Sequence, residues 1–160
     1  MFDIVLFQPE IPQNTGNIMR LAANCGCRLH LVHPLGFTLS DRQVKRAGMD
    51  YRDLAVVSEH ASWSDCVAQF SSERLFAFTT KASRPFTSVN YQAGDAFIFG
   101  PETRGLPDNI LEALPPEQQL RIPMTPHSRS LNLANAVSVV VFEAWRQQSF
   151  AGAAERDDWR

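Results

Sequence analysis

Apolar residues along the chain come in short runs separated by stretches with helical spacing. Phe2-Asp-Ile-Val-Leu-Phe7 reads as a first strand, Asn14 to Cys27 as a helix, and Arg28-Leu-His-Leu-Val32 as a second strand. Ser40 can cap a short helix carrying Arg42, Lys45 and Arg46, and Val56-Val57 can open a third strand. Ser62 to Phe70 follows as a helix, Arg74 to Thr79 as a strand, and Ala96-Phe-Ile-Phe99 as a short buried strand. Pro107 to Leu114 reads as a helix with proline near its start, Leu120-Arg-Ile122 as a strand, and Leu131 to Gln148 as the longest helix. Strands alternating with helices predict an α/β fold, a parallel sheet covered on both faces.

In such sheets ligands bind in loops beyond the carboxyl ends of the strands. Three segments there are rich in Gly, Pro, Asn or Ser: 8–20, 100–107 and 123–135. In the first, Ile18, Leu21, Ala22 and Cys25 fall on one helical stripe, and Asn17, Arg20 and Asn24 on another. Asn14 or Thr15 can cap that helix, whose free N–H groups suit an anion. Arg20 then reads either as a phosphate or oxyanion partner or as an exposed arginine. In the second segment, Gly100 and Gly105 permit close backbone approach or positive φ. The spacing resembles a phosphate loop, but Leu106-Pro107 stands where Lys and Ser/Thr are required, which excludes a generic nucleotide hydrolase of that type. Glu102 can bind a hydroxyl or a cation, or pair with Arg104. In the third, Pro123 and Pro126 stiffen the loop, and Ser130 is placed to cap the last helix. Ser130, Asn132 and Asn135 form either an elaborate cap or a polar pocket.

Composition adds bounds. The 160 residues are 44% hydrophobic and 20% charged, enough for one domain spanning 1–160 with its own core and a loose tail over 151–160. The apolar run at Met1 to Phe7 is too short for a signal peptide, and Val137 to Phe142 cannot span a bilayer, so a soluble cytoplasmic protein is expected. Cys25, Cys27 and Cys66 are odd in number and lack Cys-x-x-Cys spacing, so small buried hydrophobes are expected rather than disulfides. His30, His33, His60 and His127 lack metal-ligand spacing, and no metal is implied. A net charge of −2 gives no bulk attraction to nucleic acid, so any RNA contact must be local, with Arg42, Lys45 and Arg46 as the candidate patch.

Taken together, the three segments resemble the signature motifs of the SPOUT superfamily, the knotted AdoMet-dependent RNA methyltransferases. The matching stretches are Asn14-Thr-Gly-Asn-Ile-Met-Arg20, Phe99-Gly-Pro-Glu-Thr-Arg-Gly105, and Ile122-Pro-Met through Ser130-Leu-Asn-Leu-Ala-Asn135, in the family's order and spacing. The resemblance spans nearly the whole chain and is nearest to the minimal TrmL-type (YibK-like) tRNA ribose methyltransferases. It implies a trefoil knot near the C-terminus, a homodimer, and a pocket for S-adenosylmethionine around Phe78, Gly100, Ile122 and Ser130. It also implies roles in catalysis or RNA engagement for Asn14 and Arg20. By its chemistry, Glu102 is a conventional alternative base. The implied substrate is the 2′-hydroxyl of the wobble nucleotide in leucine tRNAs. Methylation of a base nitrogen and a non-catalytic RNA-binding module are the rival readings. Phe142 departs from the tyrosine common in TrmL-type chains, which removes any role for a phenolic hydroxyl there. On the last helix, Leu133, Ala136, Val137, Val140, Val141 and Ala144 form a core face, whereas Val139 and Phe142 point away, as a dimer contact requires.

Overall fold

The structure is a computed structural model that describes residues 1–39 and 57–155. The helix expected from Ser40, with Arg42, Lys45 and Arg46, lies outside the described residues, as does the end of the tail. Seven strands form one sheet: β1 (Asp3–Phe7), β2 (Arg28–Val32), β3 (Val57–His60), β4 (Leu75–Phe78), β5 (Arg84–Pro85), β6 (Ala96–Phe99) and β7 (Gln119–Arg121). Their order is β3-β2-β1-β6-β4-β7-β5, and every neighbouring pair runs parallel. The α/β reading is borne out. Among the described residues the α-helices are α1 (Pro12–Cys25), α2 (Trp63–Val67), α3 (Asp108–Glu112) and α4 (Leu133–Gln147).

The inner strand β1 is buried along its whole length, and its period-two alternation divides the core between two layers. Ile4 and Leu6 pack with Ile18, Met19 and Ala22 of α1 and with Val137, Val140, Val141 and Ala144 of α4. Val5 and Phe7 face the other way, toward Cys66 of α2 and Ile110 and Leu111 of α3. Burying each of these larger side chains contributes about 1.5–3 kcal/mol. The core face of α4 is as expected but for one position: Ala134 is buried, whereas Ala136 is only half-buried and lines a cavity. Cys27 and Cys66 are buried among apolar groups, and burial pushes both thiols up to about 12.

Two helix starts differ from expectation. α1 begins two residues early because Pro12 takes the first turn, where a missing N–H costs nothing. Ile11 is its N-cap and makes no side-chain cap, so neither Asn14 nor Thr15 caps the helix. α4 is capped by Asn132, not Ser130: the Asn132 amide oxygen accepts from the N–H of Ala134 at 2.9 Å and of Asn135 at 3.4 Å. Ser62 does cap α2, accepting from the Asp65 amide at 3.2 Å. The tail begins tied to α4, since the Trp145 indole donates to the Ala151 carbonyl at 3.0 Å.

A part-buried ion pair fixes the starts of β4 and β6. The Arg74 guanidinium donates to both oxygens of the fully buried Asp95 at 2.6 Å, and the Gln92 amide donates to the same carboxylate at 2.9 Å. Asp95→Ala leaves the part-buried guanidinium and the amide without their acceptor. The expected loss is about 2–3 kcal/mol, discounted for the exposed part of Arg74. Urea denaturation, with an unchanged slope, measures it.

Candidate active site

The carboxyl ends of β4, β6 and β7 stop side by side, and the chain leaves each into one of the loops singled out above or the 79–82 turn. Between them lies a cavity of about 520 Å³. Phe78 and Phe99, the last residues of β4 and β6, form its aromatic floor, stacked at 4.9 Å with ring planes 12° apart. Gly100, Ile122 and Ser130 line it as well, so the four residues expected around a methyl donor converge on one space. Asn14 reaches the same lining from α1.

The loop after β6 closes on itself. Gly105 turns it at φ +68°, and its amide donates to the Pro101 carbonyl at 3.0 Å. This return presses Leu106 and Gly105 against Gly100, where a Cβ would meet the Leu106 nitrogen and the Gly105 carbonyl. The glycine at position 100 is therefore required first by the loop's own backbone, before any ligand enters.

Glu102 joins the three segments. Its carboxylate accepts from the amides of Glu10 at 2.8 Å and Ile11 at 3.1 Å, and from the Asn14 side-chain amide at 3.2 Å. The first two donors sit at the entrance of α1, so a residue from a distant loop supplies the cap that the helix's own side chains do not. The Asn14 oxygen accepts in turn from Asn132 at 2.9 Å, and Asn132 caps α4. Glu102, Asn14 and Asn132 thus form one chain of hydrogen bonds along the cavity wall. A second brace runs beside it, through two further lining residues. Glu10 accepts from the Thr103 hydroxyl at 2.7 Å and amide at 3.1 Å, and from Arg104 at 3.2 Å, and Arg104 also donates to Gln8 at 2.9 Å. The Thr103 hydroxyl, with Arg104 nearby, holds the Glu10 carboxyl below its usual range. The pairing of Glu102 with Arg104 is therefore corrected: Arg104 serves Glu10.

A model of the SpoU rRNA Methylase family matches residues 1–142. The chain belongs to this family of methylases. Among SpoU-family relatives, tRNA (cytidine(34)-2′-O)-methyltransferase of Methylovorus glucosotrophus (strain SIP3-4) is 57% identical over 153 residues, covering 96% of this chain and 99% of that one. The enzyme of the same name from Escherichia coli (strain K12) is 55% identical over 157 residues, covering 98% and 100%. A solved structure described as giving insights into the 2-OH methylation of C/U34 on tRNA superposes with a TM-score of 0.86 at 44% identity, covering 94% of this chain and 97% of that chain.

The three segments meet at the cavity, but one of their named residues stands apart from it. Arg20 lies six residues beyond Asn14, roughly 9 Å along the helix axis. It sits on the exposed face with Asn17 and Asn24 and is not among the residues lining the cavity. Asn14, by contrast, is 5% exposed and turned inward. Sequence reading placed Glu102 among possible ligand or base residues and missed its bracing role. Thr79, Thr80 and Arg121 also line the cavity and went unremarked; their signal was position, directly after strands β4 and within β7.

Proposed function

We propose that this SpoU-family chain transfers the methyl group of S-adenosylmethionine to the ribose 2′-hydroxyl of the wobble nucleotide, position 34, of tRNA, with leucine isoacceptors as substrates. The observation that supports it best is the convergence of the three family segments on one cavity, in a chain matched end to end by relatives named for that reaction. The residues present fit the donor: an aromatic floor, closely approaching backbone at Gly100 and Gly105, and a rim of hydroxyls and amides. Phe78, Gly100, Ile122 and Ser130 would hold it. The donor's sulfonium supplies an activated methyl group.

The protein's own task is alignment, exclusion of water and handling of the proton lost by the acceptor hydroxyl. Asn14 holds the entrance of α1 against the second and third loops. Arg20 carries a permanent cation with fork-shaped donors, so in this reading it clamps RNA phosphate or stabilises charge developing on the acceptor oxygen. Three of the acceptor positions of Glu102 are taken by protein donors, which favours a brace over a base.

The same reading includes a C-terminal trefoil knot, a single domain, a cytoplasmic location and a homodimer. Among the described residues, no helix is long and apolar enough to cross a membrane. On α4, Val139 is 42% and Phe142 47% exposed in the single chain. A second copy packed on this face would bury them. Arg20, also outward-facing, and the patch of Arg42, Lys45 and Arg46 would then contribute to a shared tRNA surface. Phe142→Asp should give a monomer that binds tRNA at least about tenfold more weakly, a loss of roughly 1.4 kcal/mol. Sedimentation velocity checks it; a dimeric Phe142→Asp protein removes this face from the interface. The reaction itself is tested by locating labelled methyl in tRNA treated with the enzyme.

A further inference from the structure

A second set of chemically capable side chains lies away from the cavity, under α2 at the β2–β3 edge. One ligand atom from each of His30, His60 and Cys66 lies within 4.8 Å of the other two, and all three residues are buried. None of them lines the cavity between the loops. The residues come from β2, β3 and α2, which is why their sequence spacing suggests no metal set.

The hydrogen bonds around the histidines are directional. Arg28 donates to both oxygens of the fully buried Asp3, at 2.6 and 2.7 Å. That carboxylate accepts, so the His30 Nε2 facing it at 2.9 Å carries a hydrogen. His30 Nδ1 is left as an acceptor for His60 Nε2–H at 2.9 Å, and His60 Nδ1 as an acceptor for the Gln69 amide at 3.4 Å. Each ring therefore holds an outer partner on the nitrogen that points away from the other ring. Histidines bound to a metal through one nitrogen almost always donate the hydrogen of the second, and carboxylate–histidine–metal, as at Asp3 and His30, is the common form.

We propose that His30 Nδ1, His60 Nε2 and Cys66 Sγ bind one zinc ion, with water in the fourth position. Two imidazoles on a tetrahedral zinc, with Zn–N about 2.0–2.1 Å, have ring centres roughly 5.2 Å apart and ligand nitrogens about 3.4 Å apart. The ring centres here are 5.1 Å apart. The ligand nitrogens must part by about half an ångström from the 2.9 Å hydrogen bond, with both rings tilting toward the ion. Zinc replaces the shared hydrogen. The His60 proton moves from Nε2 to Nδ1, where Gln69, its amide turned, accepts it through Oε1. The Cys66 thiol loses its proton to solvent as the Zn–S bond forms, so one proton is released per ion. Gln69 is exposed. Bound zinc would staple α2 to the edge strand β3 and stabilise the fold by mass action.

Cobalt(II) serves as the probe, with the metal-free full chain carrying no histidine tag. One equivalent should give tetrahedral ligand-field bands together with thiolate-to-cobalt charge-transfer absorption. Equimolar zinc should displace both and raise the thermal midpoint. Cys66→Ala should remove the charge-transfer band, and Cys25→Ala should leave it. Gln69→Ala changes an exposed side chain and should weaken cobalt binding about 10–100-fold without unfolding the protein. Absence of the charge-transfer band at one equivalent, its survival in Cys66→Ala, or unchanged affinity in Gln69→Ala would each overturn the site and leave the cluster as a hydrogen-bonded part of the core.

Discussion

Replacing Glu102 with alanine should loosen all three loops at once. The substitution strips the acceptor from two amides at the entrance of α1 and from the Asn14 side chain, and the Asn14–Asn132 link loses its fixed end. Charge-assisted acceptors at a helix start and the penalty for stranding part-buried donors together amount to about 2–4 kcal/mol. Part of that appears as lost stability and part as weaker binding of S-adenosylmethionine, which should fall about 10–100-fold. Calorimetric titration with the cofactor and denaturant unfolding measure the two parts. Glu102→Gln separates bracing from proton transfer. A base would lose turnover while the cofactor still binds. A brace loses affinity in proportion to stability, because the new amide NH2 faces protein donors. Unchanged affinity in Glu102→Ala would mean that the cavity does not depend on this brace.

Arg20 should behave in the opposite way. Its side chain is exposed and outside the cavity lining, so Arg20→Ala should keep stability within about 1 kcal/mol and cofactor affinity within about twofold. Methyl transfer should nevertheless fall at least about 100-fold, the usual cost of removing a donor aimed at developing negative charge. Arg20→Lys keeps the charge but loses the planar fork, and should recover little activity if the contact is bidentate. Single-turnover rates with saturating cofactor isolate the effect. Wild-type turnover in both variants would exclude Arg20 from the reaction.

The strands were legible where burial is complete. β1, β2, β4 and β6 are unbroken apolar runs or nearly so, and a parallel sheet covered on both faces gives no other signal. β5 was missed because it has two residues, one of them proline, at the sheet edge. The loops were legible as ligand loops from their composition and from their place after strands. What holds them was not. Glu102 and Asn14 are 88 residues apart in sequence, and only the parallel order of β1 and β6 brings their loops together. Helix caps failed for a related reason: Asn14 and Ser130 have suitable side chains, but Pro12 and Asn132 stand nearer the point where the backbone turns helical. The His30, His60 and Cys66 cluster was hidden likewise, since its members come from three separate elements.

The position and atom that receive the methyl group define what this enzyme does. The direct measurement is incubation of the purified chain with tRNA and methyl-labelled S-adenosylmethionine, followed by digestion and identification of the labelled nucleotide. The result expected is label on the ribose 2′-oxygen of nucleotide 34, first of all in leucine tRNAs, and none without the enzyme. Label on a base, label at another position, or no transfer by a folded protein that binds the cofactor would contradict it.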